Sequence, residues 1–254
     1  MKIISWNVNG LRAVAKKDGW QEVFNKIKPD IFVIQETKCE TSQIPEDRFA
    51  PAGYFSYFES AKNRKGYSGV AIYSKTKPIK ITETLGDKNF IDNEGRTLVA
   101  EYEDFYLINC YFPNGGKSDE HFQYKLDYYD KMFTLMNRLE KKKPVIMTGD
   151  INATVADIDL ARPKENAGKL GCTEWERTRL AQFCDAYIDT FRFINGEKVK
   201  YTWWDMKTRS RDRNIGWRID YFFTSKSLAK KIKKAEILDE VLGSDHCPIL
   251  LEIK

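Results

Sequence analysis

The chain has 254 residues, 42% hydrophobic and 31% charged, with a formal net charge of +5. That balance fits a globular enzyme and excludes a disordered chain, and no apolar stretch reaches the ~20 residues that a membrane span requires. Five scattered cysteines without a C-x-x-C pair argue for free thiols in a reducing cytosol, against disulfides or structural zinc.

In chain order, short apolar, β-branched and aromatic runs read as strands. They are KIISWNV (2–8), DIFVIQE (30–36), GVAIYS (69–74), RTLVAEY (96–102), DFYLINCYF (104–112), PVIMTGDIN (144–152), RIDYFFTS (218–225) and CPILLEI (247–253). Between them lie helical patterns. Residues 13–28 place Val14, Trp20, Val23, Phe24 and Ile27 near one stripe before Pro29. Residues 119–143 read as a longer helix ending in lysines, and 173–187 as a helix with a Thr cap and acids in its first turn. The basic run 226–236 has helical spacing and reads as a solvated helix face, whereas 207–218 mixes arginines with aromatics and suits phosphates and bases. The amino terminus, MKIISWNVNG, is too short and polar for a secretory signal. No repeat or Pro/Gly/Ser linker divides the sequence, so one domain over 1–254 is expected, with packed sheets covered by helices in an α/β layered architecture.

The polar residues sit where these runs stop. Asn7 and Asn9 are two apart, so on one strand face; Asp150 and Asn152 are again two apart. Glu36 ends another run, Tyr111 and Asn114 a third, and Asp220, Asp245 and His246 open the last strands. One such ending is a turn signal. Six of them on a shared edge would converge on one cleft of carboxylates, amides, a phenol and an imidazole.

Those groups suit a particular chemistry. Glu36 with an amide oxygen is a hard-ligand set for Mg²⁺, and with two histidines in the chain any metal is expected to be held by oxygen. No nucleophilic serine motif and no Gly-rich phosphate loop is present. Water as nucleophile and a phosphoryl group as electrophile, in metal-assisted phosphodiester hydrolysis, is the economical reading. In an extended stretch Asp245 and His246 point to opposite faces, so His246 needs another carboxylate as its orienter. Asp220 is the candidate by elimination, and Asp245 then faces the metal side.

At these residues the sequence resembles the exonuclease III / apurinic-apyrimidinic (AP) endonuclease family of the endonuclease/exonuclease/phosphatase superfamily. The motifs, in order, are SWNVNGLRA, QETK, GYSGVAIYSK, NEGR, YFPNGG, GDINA, DIDLARPKENAG, YTWW, NIGWRIDYF and GSDHCPI, and they cover essentially the whole chain. The resemblance implies a four-layer α/β sandwich, two packed mixed β-sheets flanked by helices, with the site at one end.

It further implies Mg²⁺, replaceable by Mn²⁺, on Glu36 with Asn9 and Asp245 nearby. Asp150 matches the residue that orients and deprotonates the attacking water, with Asn152 beside it; His246 matches the imidazole on a phosphate oxygen, and Asp220 its partner. Tyr111 and Asn7 match groups that contact the phosphate and support the site. For the base, Asp150, a Tyr111 phenolate and His246 all stay open. Trp203, Trp217 and Ile219 match the lining of a small apolar pocket for a flipped-out abasic sugar, which a base would not fit. Arg12, Tyr67, Arg96, Asn114, Lys117, Tyr124 and Lys125 match or neighbour positions that grip the DNA backbone. Asn9 stands where animal members carry Asp, and Lys117 where some carry a wedging arginine.

The activity so implied is Mg²⁺-dependent hydrolysis of duplex DNA 5′ to an abasic site, leaving a 3′-hydroxyl, with 3′-phosphodiesterase and 3′→5′ exonuclease activities. The expected partner is double-stranded DNA with abasic sites or blocked 3′ ends, met by a cytoplasmic or nucleoid-associated monomer. A superfamily phosphatase acting on inositol phosphates or sphingomyelin would share the Glu/Asp/Asn/His set but should lack GWRIDYF and YFPNGG. A binding protein on a dead hydrolase fold should have lost a catalytic position.

Overall fold

The computed structural model describes residues 1–44, 51–88, 90 and 92–254. Among these, two six-stranded sheets are built to one pattern. The first runs β11 (Ile232–Ile237), β12 (Ile249–Ile253), β1 (Lys2–Asn7), β2 (Ile31–Gln35), β4 (Val70–Ser74), β3 (Phe55–Glu59). The second runs β5 (Lys80–Thr82), β6 (Thr97–Glu101), β7 (Tyr106–Tyr111), β8 (Val145–Asp150), β10 (Asp220–Ser225), β9 (Tyr187–Asp189). In each, the central pair is parallel, β1 with β2 and β7 with β8, and every other neighbour is antiparallel. No such duplication shows in the sequence.

The sheets pack face to face. Ile3, Val33 and Ile72 of one meet Leu98, Leu107, Ile146 and Phe222 of the other in one apolar cluster. The outer face of the first sheet is covered by α1 (Leu11–Val14) and α2 (Asp18–Glu22), through Leu11, Val14 and Trp20 on Phe32 and Tyr73. The outer face of the second carries α3 (Asp119–Glu140) and α5 (Glu174–Ala186), through Tyr129, Met132, Met136 and Phe183 on Ile108 and Met147. Two short helices, α4 (Pro163–Asn166) and α6 (Thr190–Asn195), sit in the connections. The expected four-layer sandwich is therefore present. Central strands such as β2 and β8 are buried along their whole length, which explains their unbroken apolar runs.

The eight strands expected from the sequence are the eight inner ones. The four not expected, β3, β5, β9 and β11, are the four sheet edges. An edge strand is half solvated and needs no apolar run. β11 corrects the reading of 226–236 as a helix: the segment is a 3₁₀ turn, Lys226–Lys231, followed by a strand whose Ile232, Ala235 and Ile237 face inward while Lys233 and Lys234 are exposed. Lysines on an exposed edge also discourage pairing with another chain. The helical pattern of 13–28 is likewise broken. Lys17 is extended and the helix restarts at Asp18, running into a π-helical turn at Val23–Ile27. A continuous helix would set Val14 about 120° away from Trp20 at 100° per residue; the break lets both reach the sheet.

The two sheets are also joined by polar groups beneath the site. Asn109 of β7 donates to the carbonyls of Ile34 (3.0 Å) and Ala71 (2.8 Å) and accepts from Gln35 Nε2 (2.8 Å). Both amides are fully buried. Asn109→Leu would strand these partners in the interior, and we expect a loss of roughly 2–4 kcal/mol in urea unfolding at unchanged slope. A midpoint equal to wild type would show that the clamp is not needed for stability.

Candidate active site

The carboxyl ends of β1, β2, β7 and β8 lie at one edge of the sandwich, and the antiparallel β10 and β12 begin there. Register places Asp150 beside Tyr111 on one side and Asp220 on the other. At the ends of β1 and β8 the chain leaves by the same turn. The Asn9 amide donates to Asn7 Oδ1 (3.0 Å) and the Asn152 amide to Asp150 Oδ1 (2.8 Å), with φ of 45° and 57° at Asn9 and Asn152. This corrects the expectation that each pair shares the face of an extended strand. The second residue has left the strand, in a left-handed conformation that asparagine tolerates. Glu36, one residue beyond β2, is left-handed as well, with φ 54°. Ahead of Asp150, Gly149 has φ 144°, and a Cβ there would fall 1.8 Å from the Cys110 carbonyl oxygen, so only glycine lets β7 and β8 close at this point.

One amide joins the two sheets at the site: Asn7 Nδ2 donates to Glu36 Oε1 (3.0 Å) and Asp150 Oδ2 (2.8 Å). His246 Nδ1 lies 2.9 Å from Asp220 Oδ2, as expected, and its Nε2 faces Asp150 Oδ2 at 3.8 Å. The main chain that carries the imidazole is fixed as well, since Trp6 Nε1 donates to the His246 backbone carbonyl (3.1 Å). Thr202 Oγ1 accepts from the Ile219 and Asp220 amides, which sets the start of β10.

These contacts fix the charges. Burial alone would push the His246 imidazole down, but Asp220 and Asp150 outweigh it and raise the group to about 10, so it is an imidazolium at neutral pH. Burial raises Asp150, and the negative Asp220 and Glu36 add to this against the opposing His246, carrying it up to about 7. Glu36 is held below the usual carboxylate range: burial would raise it, but Lys38 and the Asn7 amide lower it further. Tyr111 is pushed well above the ordinary phenol by burial and by Glu36, so it remains a neutral donor.

A pocket of about 480 Å³ opens on this cluster. It brings together ten of the expected residues: Glu36, Tyr111, Asn114, Asp150, Asn152, Trp203, Trp217, Ile219, Asp245 and His246. Trp203 and Trp217 meet edge to face, 6.3 Å apart, and make one wall. Trp204, in contrast, is a core residue under the Arg211 guanidinium. Asn7 and Asp220 are buried behind the wall and act through the groups they hold. Asp245 accepts from Asn9 Nδ2 (2.9 Å) and Trp203 Nε1 (3.1 Å), and so joins Asn9 rather than the Glu36–Asp150–His246 cluster.

Of the expected backbone-gripping residues, Arg12, Asn114 and Lys117 are exposed, and Tyr67 and Tyr124 half-buried. Arg96 and Lys125 are corrections: they are 1% and 0% exposed and present no charge to a duplex. Arg96 lies 4.7 Å over the Tyr111 ring, donates to the Tyr111 carbonyl and pairs with Glu94, so it braces Tyr111 from behind. The sequence reading missed Lys38, Arg64, Lys169, Leu170 and Gly171. Lys38 ends the QETK motif, and its ammonium meets Glu36 Oε2 (2.6 Å) and Asn9 Oδ1. Arg64 and Lys117 cover the Tyr67 ring at 4.8 and 4.3 Å. Lys169, Leu170 and Gly171 complete the pocket rim; a Cβ on Gly171 would lie 2.9 Å from the Trp217 ring. Gly171, the last residue of ENAGKLG, was the available signal.

The donor set fits a hard divalent cation. Ligand atoms of Glu36, Asp150 and His246 lie within 4.8 Å of one another. The hard oxygen donors among them are Glu36 and Asp150, with the Asn9 amide linked to Glu36 through Lys38. The Lys38 ammonium already rests on two of these groups, so the position attracts cations.

Asp150 contributes a pH dependence of stability. Its folded-state value, about 7, lies above the ordinary aspartate value of 3.8, so between these values the folded protein binds the extra proton, and this contribution weakens as pH rises towards 7. In EDTA, Asp150→Asn is therefore expected to raise the urea midpoint at pH 8 clearly more than at pH 5. A larger gain at pH 5 would contradict the assignment.

A family model described as the endonuclease/exonuclease/phosphatase family matches residues 4–246. An exodeoxyribonuclease of Bacillus subtilis (strain 168) is 39% identical over 255 residues, covering 100% of this chain and 99% of its own. The DNA repair nuclease APEX1 of Danio rerio is 37% identical over 254 residues, 99% of this chain and 81% of that protein. Among solved structures, an AP endonuclease from Archaeoglobus fulgidus superposes with a TM-score of 0.89 at 28% identity, covering 100% of this chain and 99% of that one. The 3′ phosphatase NExo from Neisseria, bound to a product DNA hairpin, gives 0.92 at 27%, with the same coverage. With a family model matched over residues 4–246 and relatives of 37% and 39% identity aligned along 99% or more of it, the chain belongs to the endonuclease/exonuclease/phosphatase family, as a nuclease on the exonuclease III / AP endonuclease branch.

Proposed function

We propose that this nuclease hydrolyses duplex DNA on the 5′ side of abasic sites, leaving a 3′-hydroxyl, and also clears blocked 3′ ends. The observation that carries the reading is the junction of two unlike surfaces: an apolar wall of Trp203, Trp217 and Ile219 directly beside the charged Asp150–His246 pair. A bare deoxyribose has the size and polarity for such a wall, and extruding it breaks no base pair. The names of the relatives, exodeoxyribonuclease and AP endonuclease, support the same reading.

In the proposed reaction the scissile phosphate docks against His246 and Asp150, whose 3.8 Å separation is too long for a direct hydrogen bond. The imidazolium, held by Asp220, donates to a non-bridging oxygen and stabilises charge that grows in the transition state. Asp150, raised above the ordinary carboxylate range by burial and by Asp220 and Glu36, takes the proton of the attacking water, and the Asn7 and Asn152 hydrogen bonds aim it. The new bond joins water oxygen to phosphorus, the bond to the 3′ oxygen breaks with its electron pair on that oxygen, and a proton from solvent water converts it to the 3′-hydroxyl. Tyr111, kept neutral, serves as a donor rather than the base. Glu36, with Asn9 nearby, would hold Mg²⁺ or Mn²⁺ and leave Asp150 free to act on the water; when bound, the ion would neutralise phosphate charge. Lys117, Arg12, Arg64 and Tyr67 would track the duplex backbone. We place the enzyme as a monomer in the cytoplasm or on the nucleoid, consistent with five free thiols, and no helix of the described residues is long and apolar enough to cross a membrane.

An end-labelled duplex with one tetrahydrofuran abasic mimic tests this, because the mimic cannot undergo β-elimination. Expected are a Mg²⁺-dependent cut 5′ to the lesion, its loss in EDTA, and a fall of about 10³-fold in kcat for His246→Ala. No cut by wild type, with turnover of inositol phosphate or sphingomyelin instead, would overturn the reading in favour of a phosphatase.

A further inference from the structure

Below the pocket floor lies an ion pair that the reaction as described does not use. Lys125 of α3 and Glu176 of α5 are both 0% exposed and pair with each other. The Lys125 ammonium has three hydrogens and three acceptors: Glu176 Oε1, the Asn152 carbonyl (2.9 Å) and the Asn114 carbonyl (3.2 Å). The other carboxylate oxygen of Glu176 accepts from the Gly171 amide (2.8 Å), the Thr173 amide (3.1 Å) and Thr173 Oγ1 (2.7 Å). One buried pair is thus bonded to three separate segments around 114, 152 and 171, and Asn114, Asn152 and Gly171 all line the pocket.

A buried ion pair is weak evidence for stability as such, since an apolar pair of similar volume often does as well. Its distinctive property here is direction. Asn152 has left its strand in a left-handed turn, and the Lys125 ammonium supplies its carbonyl with a donor inside the protein. The same ammonium fixes the Asn114 carbonyl, and through Glu176 fixes the Gly171 segment that packs on Trp217. We infer that Lys125 and Glu176 are positioning residues for catalysis, a single buried clamp that holds the Asn114, Asn152 and Gly171 loops in register with Asp150 and the aromatic wall. This rests on the proposed phosphodiester reaction for its kinetic consequence, but its structural consequence stands apart from the substrate.

The test is the apolar exchange Lys125→Met with Glu176→Leu, made together so that no lone charge is buried, and read in two ways. Hydrogen–deuterium exchange should show faster exchange in 112–116, 150–154 and 168–173 while the inner strands keep their protection. On the tetrahydrofuran duplex, kcat should fall tenfold or more while the Kd for undamaged duplex stays within about threefold, because a general loss of fold would weaken both. Unchanged exchange in the three loops, or wild-type kcat in the folded double variant, overturns the inference. Should the double variant fail to fold, Lys125→Gln with Glu176→Gln, which keeps polar groups at both positions and gives up the ion pair without a lone buried charge, is read by the same two measurements. If wild type does not cut the lesion, the functional proposal fails, and the exchange data alone decide for or against the clamp.

Discussion

Three carboxylates, Glu36, Asp150 and Asp220, are brought around one imidazole where two sheets end, and much of the surrounding structure answers that concentration of negative charge. Like charges in a desolvated seam cannot all ionise without cations to face them. His246 supplies one between Asp220 and Asp150, and Lys38 supplies another on Glu36. Asp150 receives the least, and its proton is accordingly the most easily exchanged near neutrality. A base, a phosphate donor and a cation-attracting corner all follow from this unequal sharing.

The duplicated sheet pattern explains how the seam arises. Each sheet ends its central strand in a side-chain-capped turn, Asn7–Asn9 in one and Asp150–Asn152 in the other, and the sandwich sets these turns opposite each other. Asn7 then reaches across to Asp150, and Asn109 and Gln35 repeat such a crossing deeper in the core. Cations that present no charge to solvent stand behind: Arg96 under Tyr111, and Arg218, fully buried on Asp159 and Asp189, behind the Trp217–Asp220 segment. Turn geometry and buried ion pairs, rather than regular secondary structure, place the reacting groups.

What the sequence disclosed and what it withheld follow from burial. The inner strands were legible because burial on both faces demands continuous apolar runs; β3, β5, β9 and β11 were not, because an edge demands only alternate residues. Strand alternation argued against Asp245 as the partner of His246, and Asp220 followed by elimination. The same alternation misled at Asn9 and Asn152, where an asparagine can leave the strand while its neighbour two residues back caps the turn. Charge alone gave no means to tell Lys117, which is exposed, from Arg96 and Lys125, which are buried: a long cationic side chain can lie either way, and only its partners decide.

The central claim is that the seam's negative charge keeps His246 cationic. Nitrogen-15 NMR of the imidazoles in metal-free protein tests it directly, and the only other histidine, His121, is lowered by burial and by Lys117 and so gives a neutral reference in the same sample. The account predicts that at pH 8 both His246 nitrogens carry protons while His121 is neutral. A His246 that loses its proton near the ordinary imidazole value of 6.5 would contradict it.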